Sequence, residues 1–251
     1  MSGHSKWSTI KRKKAANDAK RGAIFTRLAR EITIAAREGG GDPDANFALR
    51  LAVERARANN MPKENIDRAI RRGTGEDKEG AAFEQILYEG YAPHGVALLI
   101  EVLTDNRNRT VAEIRHVLSR SGGSLADAGS VSWQFHRVAY FYLPIEGLDA
   151  ERVFEIAVEA GADDVIIGGE EVEVFAPVEL FKELSDALRE AGFAPEEAEL
   201  RLVPKTTLQL PEDQAVKVMR VIEELEDLDD VRAVYSNLDI TEEAVALLET
   251  A

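Results

Sequence analysis

The spacing of apolar residues changes character at one polar, glycine-rich stretch, Gly73-Thr74-Gly75-Glu76-Asp77-Lys78-Glu79-Gly80. Before it, apolar residues recur at the 3.6-residue helical period. After it, runs with strand character appear between helical ones. A chain that switches period in this way reads as separate units joined by a linker. Its 251 residues are enough for two or three domains.

Upstream of the linker, Ile24, Phe25, Leu28, Ile32 and Ala35 form one stripe of an amphipathic helix, stopped by Gly39-Gly40-Gly41. Asp42 reads as the N-cap of a second helix, with Pro43 at its first position. Phe47, Ala48, Leu51, Ala52 and Ala56 make its buried face, and Asn59-Asn60 ends it. Pro62 opens a third helix with Ile66, Ala69 and Ile70 inward. Residues 22–72 thus read as a three-helix unit.

Downstream, residues 84–91 and 96–103 read as strands joined by the turn Ala92-Pro93-His94-Gly95. Thr110-Val111-Ala112-Glu113 has the form of a capping box opening a helix with Val111, Ile114, Val117 and Leu118 inward. Residues 130–135 read as the next strand. Residues 137–204 spell β-α-β-β-α-β, the order of a ferredoxin-like split βαβ unit. Pro211 starts a further helix carrying Ala215, Val218, Met219, Ile222 and Leu225 on one face, and residues 231–236 form a closing strand. The expected fold is α+β and multidomain: an N-terminal three-helix domain, then two α/β domains, one ferredoxin-like and inserted in the other. The expected division is a basic arm at 1–22, a helical domain at 23–75, an α/β domain at 79–135 plus 206–240, the inserted domain at 136–205 and a tail at 241–251. A linear three-domain chain is the alternative.

Charge is segregated along the same lines. The whole chain carries −15, yet residues 1–72 hold 17 Lys/Arg against 8 Asp/Glu, and the remainder 14 against 38. A basic module attached to an acidic body can attract a polyanion at one end and repel it elsewhere. The run from Glu223 to Asp230, six acids in eight residues, reads as a solvated helix end.

Several chemistries drop out. With no cysteine there is no disulfide, thiolate metal site or cysteine nucleophile. His4, His94, His116 and His136 lack the spacing of a helical zinc site. Gly73-Thr74-Gly75 lacks the third glycine and preceding strand of a dinucleotide site, and no Gly-x-Ser-x-Gly elbow occurs. No metal, no cofactor and no catalytic constellation are expected. No apolar stretch approaches the roughly 18 residues that span a bilayer, and the N-terminus has no apolar signal region. A cytoplasmic protein without a membrane partner is the expectation.

The positive signals are basic. Lys11-Arg12-Lys13-Lys14, followed by Lys20-Arg21, Arg27 and Arg30, could contact several phosphates, with affinity falling steeply as salt rises. Lysine runs alone are often a solvated face, but their concentration in one segment of an acidic protein favours nucleic acid. Trp7 either stacks beside these charges or docks on its own domain. Arg107 and Arg109 fall in a loop leading to a helix N-terminus, either a phosphate contact or an Asn/Asp-rich turn present for backbone reasons. Lys63 adds charge beside Arg71 and Arg72.

Six segments resemble the signatures of the YebC family. They are Gly3-His4-Ser5-Lys6-Trp7, Asp18-Ala19-Lys20-Arg21-Gly22, Asn60-Met61-Pro62-Lys63-Glu64-Asn65-Ile66, Tyr88-Glu89-Gly90-Tyr91-Ala92-Pro93, Leu103-Thr104-Asp105-Asn106-Arg107-Asn108-Arg109-Thr110 and Gly129-Ser130-Val131-Ser132-Trp133. The resemblance runs from the first residues to the C-terminal region. It includes the mitochondrial translational activator of cytochrome c oxidase subunit I, and bacterial members described as DNA-binding regulators. It implies three domains and a ribosomal role in relieving stalls on proline-rich stretches. Two departures stand out. Ala92-Pro93-His94-Gly95 replaces the family's Gly-Pro-Gly-Gly, which argues against a very tight turn, and Ala23 replaces a lysine. The nucleic-acid-binding set expected is His4, Lys6, Trp7, Lys11, Arg12, Lys13, Lys14, Lys20, Arg21, Arg27, Arg30, Lys63, Arg107 and Arg109. The partner expected is the ribosome, through rRNA with tRNA as a further candidate contact, with duplex DNA as the alternative and a monomer favoured.

Overall fold

The computed structural model describes residue 7, residues 21–76 and residues 83–250. Three helices come first: α1 (Arg21–Gly39), α2 (Phe47–Ala58) and α3 (Lys63–Thr74). Leu28, Ile32, Leu49, Val53, Ala56 and Ile66 form their common core. Gly73 belongs to α3 rather than to the linker. A Cβ there would strike the Thr33 carbonyl and lie 2.6 Å from the Ala36 Cβ, so α1 and α3 touch through backbone. The linker therefore starts only after Gly75, whose φ of 78° ends the helix in the left-handed conformation.

The second helix differs from its sequence reading at both its start and its face. Its N-cap is Asn46, whose side-chain oxygen accepts from the Leu49 N–H while its amide donates to the Ala35 and Gly40 carbonyls. Asp42 and Pro43 lie in the turn before it. Ala48 is exposed, and the inward face is Leu49, Ala52, Val53 and Ala56. Phe47 and Leu51 face a different core: the Phe47 ring meets Phe181 edge-on at 5.3 Å between centroids. One helix with two apolar faces thus joins two units.

The first sheet contains β1 (Glu84–Tyr91), β2 (Ala97–Thr104), β3 (Ser124–Ala126) and β8 (Val231–Ser236), in the order β3-β1-β2-β8 and antiparallel throughout. β3 leaves no mark in the sequence, because three residues carry no periodicity. The β1–β2 turn is tight despite the missing glycine. His94 adopts φ 64°, and the Ala92 N–H reaches the Val96 carbonyl at 2.8 Å; histidine tolerates that region better than most residues. Helices α4 (Arg107–Arg120), α7 (Glu212–Glu226) and α8 (Glu242–Thr250) pack with this sheet. The residues read as a C-terminal tail are thus largely helix, with Ala244 and Val245 buried.

Between β3 and α7 the chain forms a second sheet of β4 (Phe135–Pro144), β5 (Asp164–Ile167), β6 (Glu171–Ala176) and β7 (Glu197–Pro204), with α5 (Ala150–Glu159) and α6 (Phe181–Glu190). Its order, β5-β6-β4-β7, with every pair antiparallel, is the ferredoxin-like arrangement. Of residues 130–135 only Phe135 is in a strand; a 3-10 turn at Ser132–Gln134 leads into β4.

Charged side chains close the junction of the three units. Glu31 of α1 pairs with Arg55 of α2 (2.9 Å) and Arg232 of β8 (3.4 Å). Arg55 reaches Glu199 of β7 at 3.2 Å, and Arg232 reaches Glu101 of β2 at 2.8 Å. Burial would raise the Glu199 carboxyl pKa, but Arg201, Arg55 and Arg232 outweigh it and hold it below the usual range. Each buried charge here has a partner, the condition under which burial is tolerated.

Candidate nucleic-acid interface

Of the cations expected to meet nucleic acid, His4, Lys6, Lys11, Arg12, Lys13, Lys14 and Lys20 lie outside the described residues. Arg21 is the first residue of α1. Trp7 is 6% exposed and belongs to the core of the first sheet. It packs against its own protein, as the docking reading expects.

Three of the arginines are held internally. Arg27 donates to the Glu226 carbonyl at 2.9 Å. Arg30 donates to the Asp229 carbonyl at 2.7 Å and to the Asp230 carboxylate at 2.8 Å. Arg109 reaches the other Asp230 oxygen at 2.7 Å and Asp105 at 3.1 Å. Asp230 is therefore not part of a solvated helix end. It is buried, and it also accepts from the hydroxyls of Thr110 (2.6 Å) and Thr104 (3.0 Å). Burial alone would raise its pKa, but the bonds from Thr110, Arg109 and Thr104 and the charge of Arg30 hold it below the ordinary carboxylate value.

The same cluster displaces the expected capping box. Asn106 is the N-cap of α4 and accepts from the Arg109 N–H at 3.1 Å, so Arg107 and Arg109 stand in the first helical turn and not in a loop. Thr110 lies inside the helix, fully buried. Arg107 is the more exposed of this pair, and its guanidinium makes a surface ion pair with Glu84 at 3.3 Å.

Lys63 is exposed at the first position of α3. Arg57 of α2 and Arg68 and Arg71 of α3 are exposed with it, and none of the four makes an ion pair among the described residues. At 3.6 residues per turn, Lys63, Arg68 and Arg71 fall within about 140° of one another. Glu64 and Asp67 share the helix. Arg57 and Arg68 escaped the sequence reading because no run marks them; helical phase relative to the core was the available signal. These are the described cations of the helical unit that a polyanion can reach without breaking an internal contact.

A second constructed feature joins two of the sequence segments. Glu89 of β1 is buried, and its carboxylate accepts the backbone N–H groups of Gly129 (2.7 Å), Val131 (2.6 Å) and Ser132 (3.0 Å). Burial works to raise the Glu89 pKa, but these backbone bonds outweigh it and lower it. The loop so held carries Trp133 on the surface. The sequence signal, an aromatic inside a quoted signature, was present but had no geometry attached.

Among the described residues, no group of His, Asp and Glu is arranged to hold a metal ion, and no helix is long and apolar enough to cross a membrane.

Two family models match the chain: the TACO1/YebC protein N-terminal domain over residues 5–76, and the TACO1/YebC second and third domain over residues 83–238. A protein of Acidithiobacillus ferrooxidans named "Probable transcriptional regulatory protein" is 53% identical over 250 residues, covering 99% of each chain. One of the same name from Chlorobium luteolum is 50% identical over 250 residues, covering 99% of this chain and all of its own. A crystal structure of a conserved hypothetical protein from Aquifex aeolicus superposes with a TM-score of 0.84 at 44% identity, covering 90% of this chain and 93% of that one.

Proposed function

The chain belongs to the TACO1/YebC family, and from that premise we propose that it is a non-enzymatic, nucleic-acid-binding regulator of gene expression. In the finer form of this proposal it is a cytoplasmic translation factor that binds ribosomal RNA and helps synthesis through proline-rich stretches. The observation that carries the reading is the segregation of charge. Residues 1–72 hold 17 Lys/Arg against 8 Asp/Glu in a chain of net charge −15, and Arg57, Lys63, Arg68 and Arg71 stand exposed on that part.

In this proposal the arm (1–22) and the helical domain (23–75) contact phosphates. The acidic remainder, divided into 79–135 with 206–240 and an inserted 136–205, faces protein or solvent and limits how the molecule docks. Any effect on peptide-bond formation then comes from positioning RNA, since the sequence offers no nucleophilic constellation. The names of the relatives favour a second reading, a regulator bound to duplex DNA through the same cations.

Sedimentation with ribosomes at near-physiological salt, with excess duplex DNA as competitor, separates the two. Association that survives the DNA, and is lost when Lys11, Arg12, Lys13 and Lys14 are reversed to Glu, is the expected result. Transfer of the protein to the DNA would make the transcriptional reading the leading one.

A further inference from the structure

Trp133 is 67% exposed, more than any other large apolar side chain in the described residues. Its backbone is nevertheless anchored on both sides. Val131 and Phe135 on either side are buried, packed with Ala97 and Leu99 of β2. The Glu89 carboxylate takes three N–H groups of the loop. The Gln134 N–H bonds the Val131 carbonyl at 2.9 Å, and the Lys205 N–H bonds the Gln134 carbonyl at 2.8 Å. A side chain left in water on a segment anchored at so many points is displayed, not merely uncovered.

The indole's polar atom is satisfied as well. Its Nε1–H donates to the Ser130 carbonyl at 3.0 Å, so the ring needs no outside acceptor and one edge of it is held. What it offers a partner is π surface. The Lys205 ammonium donates to the Trp133 carbonyl at 2.7 Å, fixing a cation on the backbone of the residue that bears the ring. Exposed His136 and Arg137 follow at the start of β4, after Gln134 and buried Phe135.

An exposed π face on a residue whose backbone carbonyl holds a cation suits one nucleotide, base on ring and phosphate on ammonium. In a duplex the base faces are stacked and hidden, whereas loops and single strands of RNA present them. We propose that Trp133, with Lys205 beside it, is a stacking platform for an unpaired base of an RNA segment. The inference rests on the nucleic-acid reading above and adds a second point of contact, one place where the acidic remainder meets RNA instead of protein or solvent, distant in sequence from the basic arm. In this role Glu89 is a positioning residue, holding the loop that holds the ring.

The test uses the full chain and a single-stranded pyrimidine RNA oligonucleotide, with duplex DNA of equal length alongside. The chain has two tryptophans, and Trp7 is buried, so emission from Trp133 reports on the platform. Titration with the RNA is expected to quench that emission, and Trp133→Phe to remove the quench while keeping most of the affinity. Trp133→Ala is expected to weaken binding roughly 10-fold, equally at all salt concentrations, because stacking and not a phosphate contact is lost. Its thermal midpoint stays unchanged, since the side chain is not in a core. RNA binding without quenching, and with Trp133→Ala at wild-type affinity, would overturn the platform and leave the functional proposal standing. Retained RNA affinity in Trp133→Ala together with loss of a bound protein would assign the residue to a protein surface instead. Failure of the unaltered chain to bind RNA at all would overturn the RNA form of both.

Discussion

Replacing Asp230 with Ala tests the view that this residue ties the helical unit to the first sheet. Its carboxylate meets Arg30 at 2.8 Å, Arg109 at 2.7 Å, and the hydroxyls of Thr110 and Thr104. The four contacts are not equal. Arg109 is 43% exposed at its side chain, so that pair is screened by water and contributes under about 1 kcal/mol. The hydroxyls have other acceptors nearby, with the Asn106 carbonyl 3.1 Å from the Thr110 oxygen and the two threonine oxygens 2.7 Å apart. Arg30 is different. Its side chain is 11% exposed, and losing the carboxylate leaves a largely desolvated guanidinium with two carbonyls and the Phe83 ring but no counter-charge. A charge-assisted buried contact is worth about 1.5–3 kcal/mol, and the uncompensated charge brings the total to about 3 kcal/mol. The urea midpoint at pH 7 should fall accordingly, with Asp230→Asn losing less because it keeps an acceptor. The carboxyl is held below its ordinary pKa. Its contribution is therefore complete above the unfolded value, near pH 4, and fades as pH falls through the lower folded value. Wild type and variant should converge only below about pH 4. Polyanion affinity should rise in the variant, because Arg30 and Arg109 lose their neutralising partner. A loss under about 1 kcal/mol, or a fall in affinity, would refute the reasoning.

Trp7→Ala should cost about 3–5 kcal/mol in urea unfolding by emptying a site in the first-sheet core. A variant of unchanged stability with lowered RNA affinity would return Trp7 to the interface. Glu89→Gln keeps one acceptor oxygen but turns an amide toward an N–H, loosening the loop by about 2 kcal/mol. Faster hydrogen exchange at Gly129, Val131 and Ser132, with unchanged exchange in α1, is the expected readout. Because the Glu89 pKa is lowered, the loop should keep its wild-type protection down to about pH 4 and lose it below.

Much of the local structure was legible in the sequence, because a helix or strand signals itself over neighbouring residues. The split βαβ order of 137–204, the stop at Gly39 and the helix after Pro211 depend on period and on turn chemistry within a few positions. The errors have a common cause. Asp42 and Asn46 both suit an N-cap, and Thr110 followed by Glu113 fits a capping box; the choice in each case was made by distant partners, Ala35 for Asn46 and Asp230 for Thr110. Phe47 belongs to a second apolar face that only a second domain explains.

The candidate interface divides in the same way. Composition along the chain determined that the N-terminal part is basic and the remainder acidic, since charge is a property of residue type alone. Which cations remain available is a matter of what folds against them. Arg27, Arg30 and Arg109 are engaged by groups 199, 200 and 121 residues away, while Arg57 and Arg68 are left exposed. The tertiary structure alone brought Glu89 to the backbone of 129–132, leaving Trp133 in water, and separately packed Trp7 into the first-sheet core. Such contacts depend on pairings between remote segments, which no local pattern encodes, because burial is set by the surface that arrives from elsewhere in the chain.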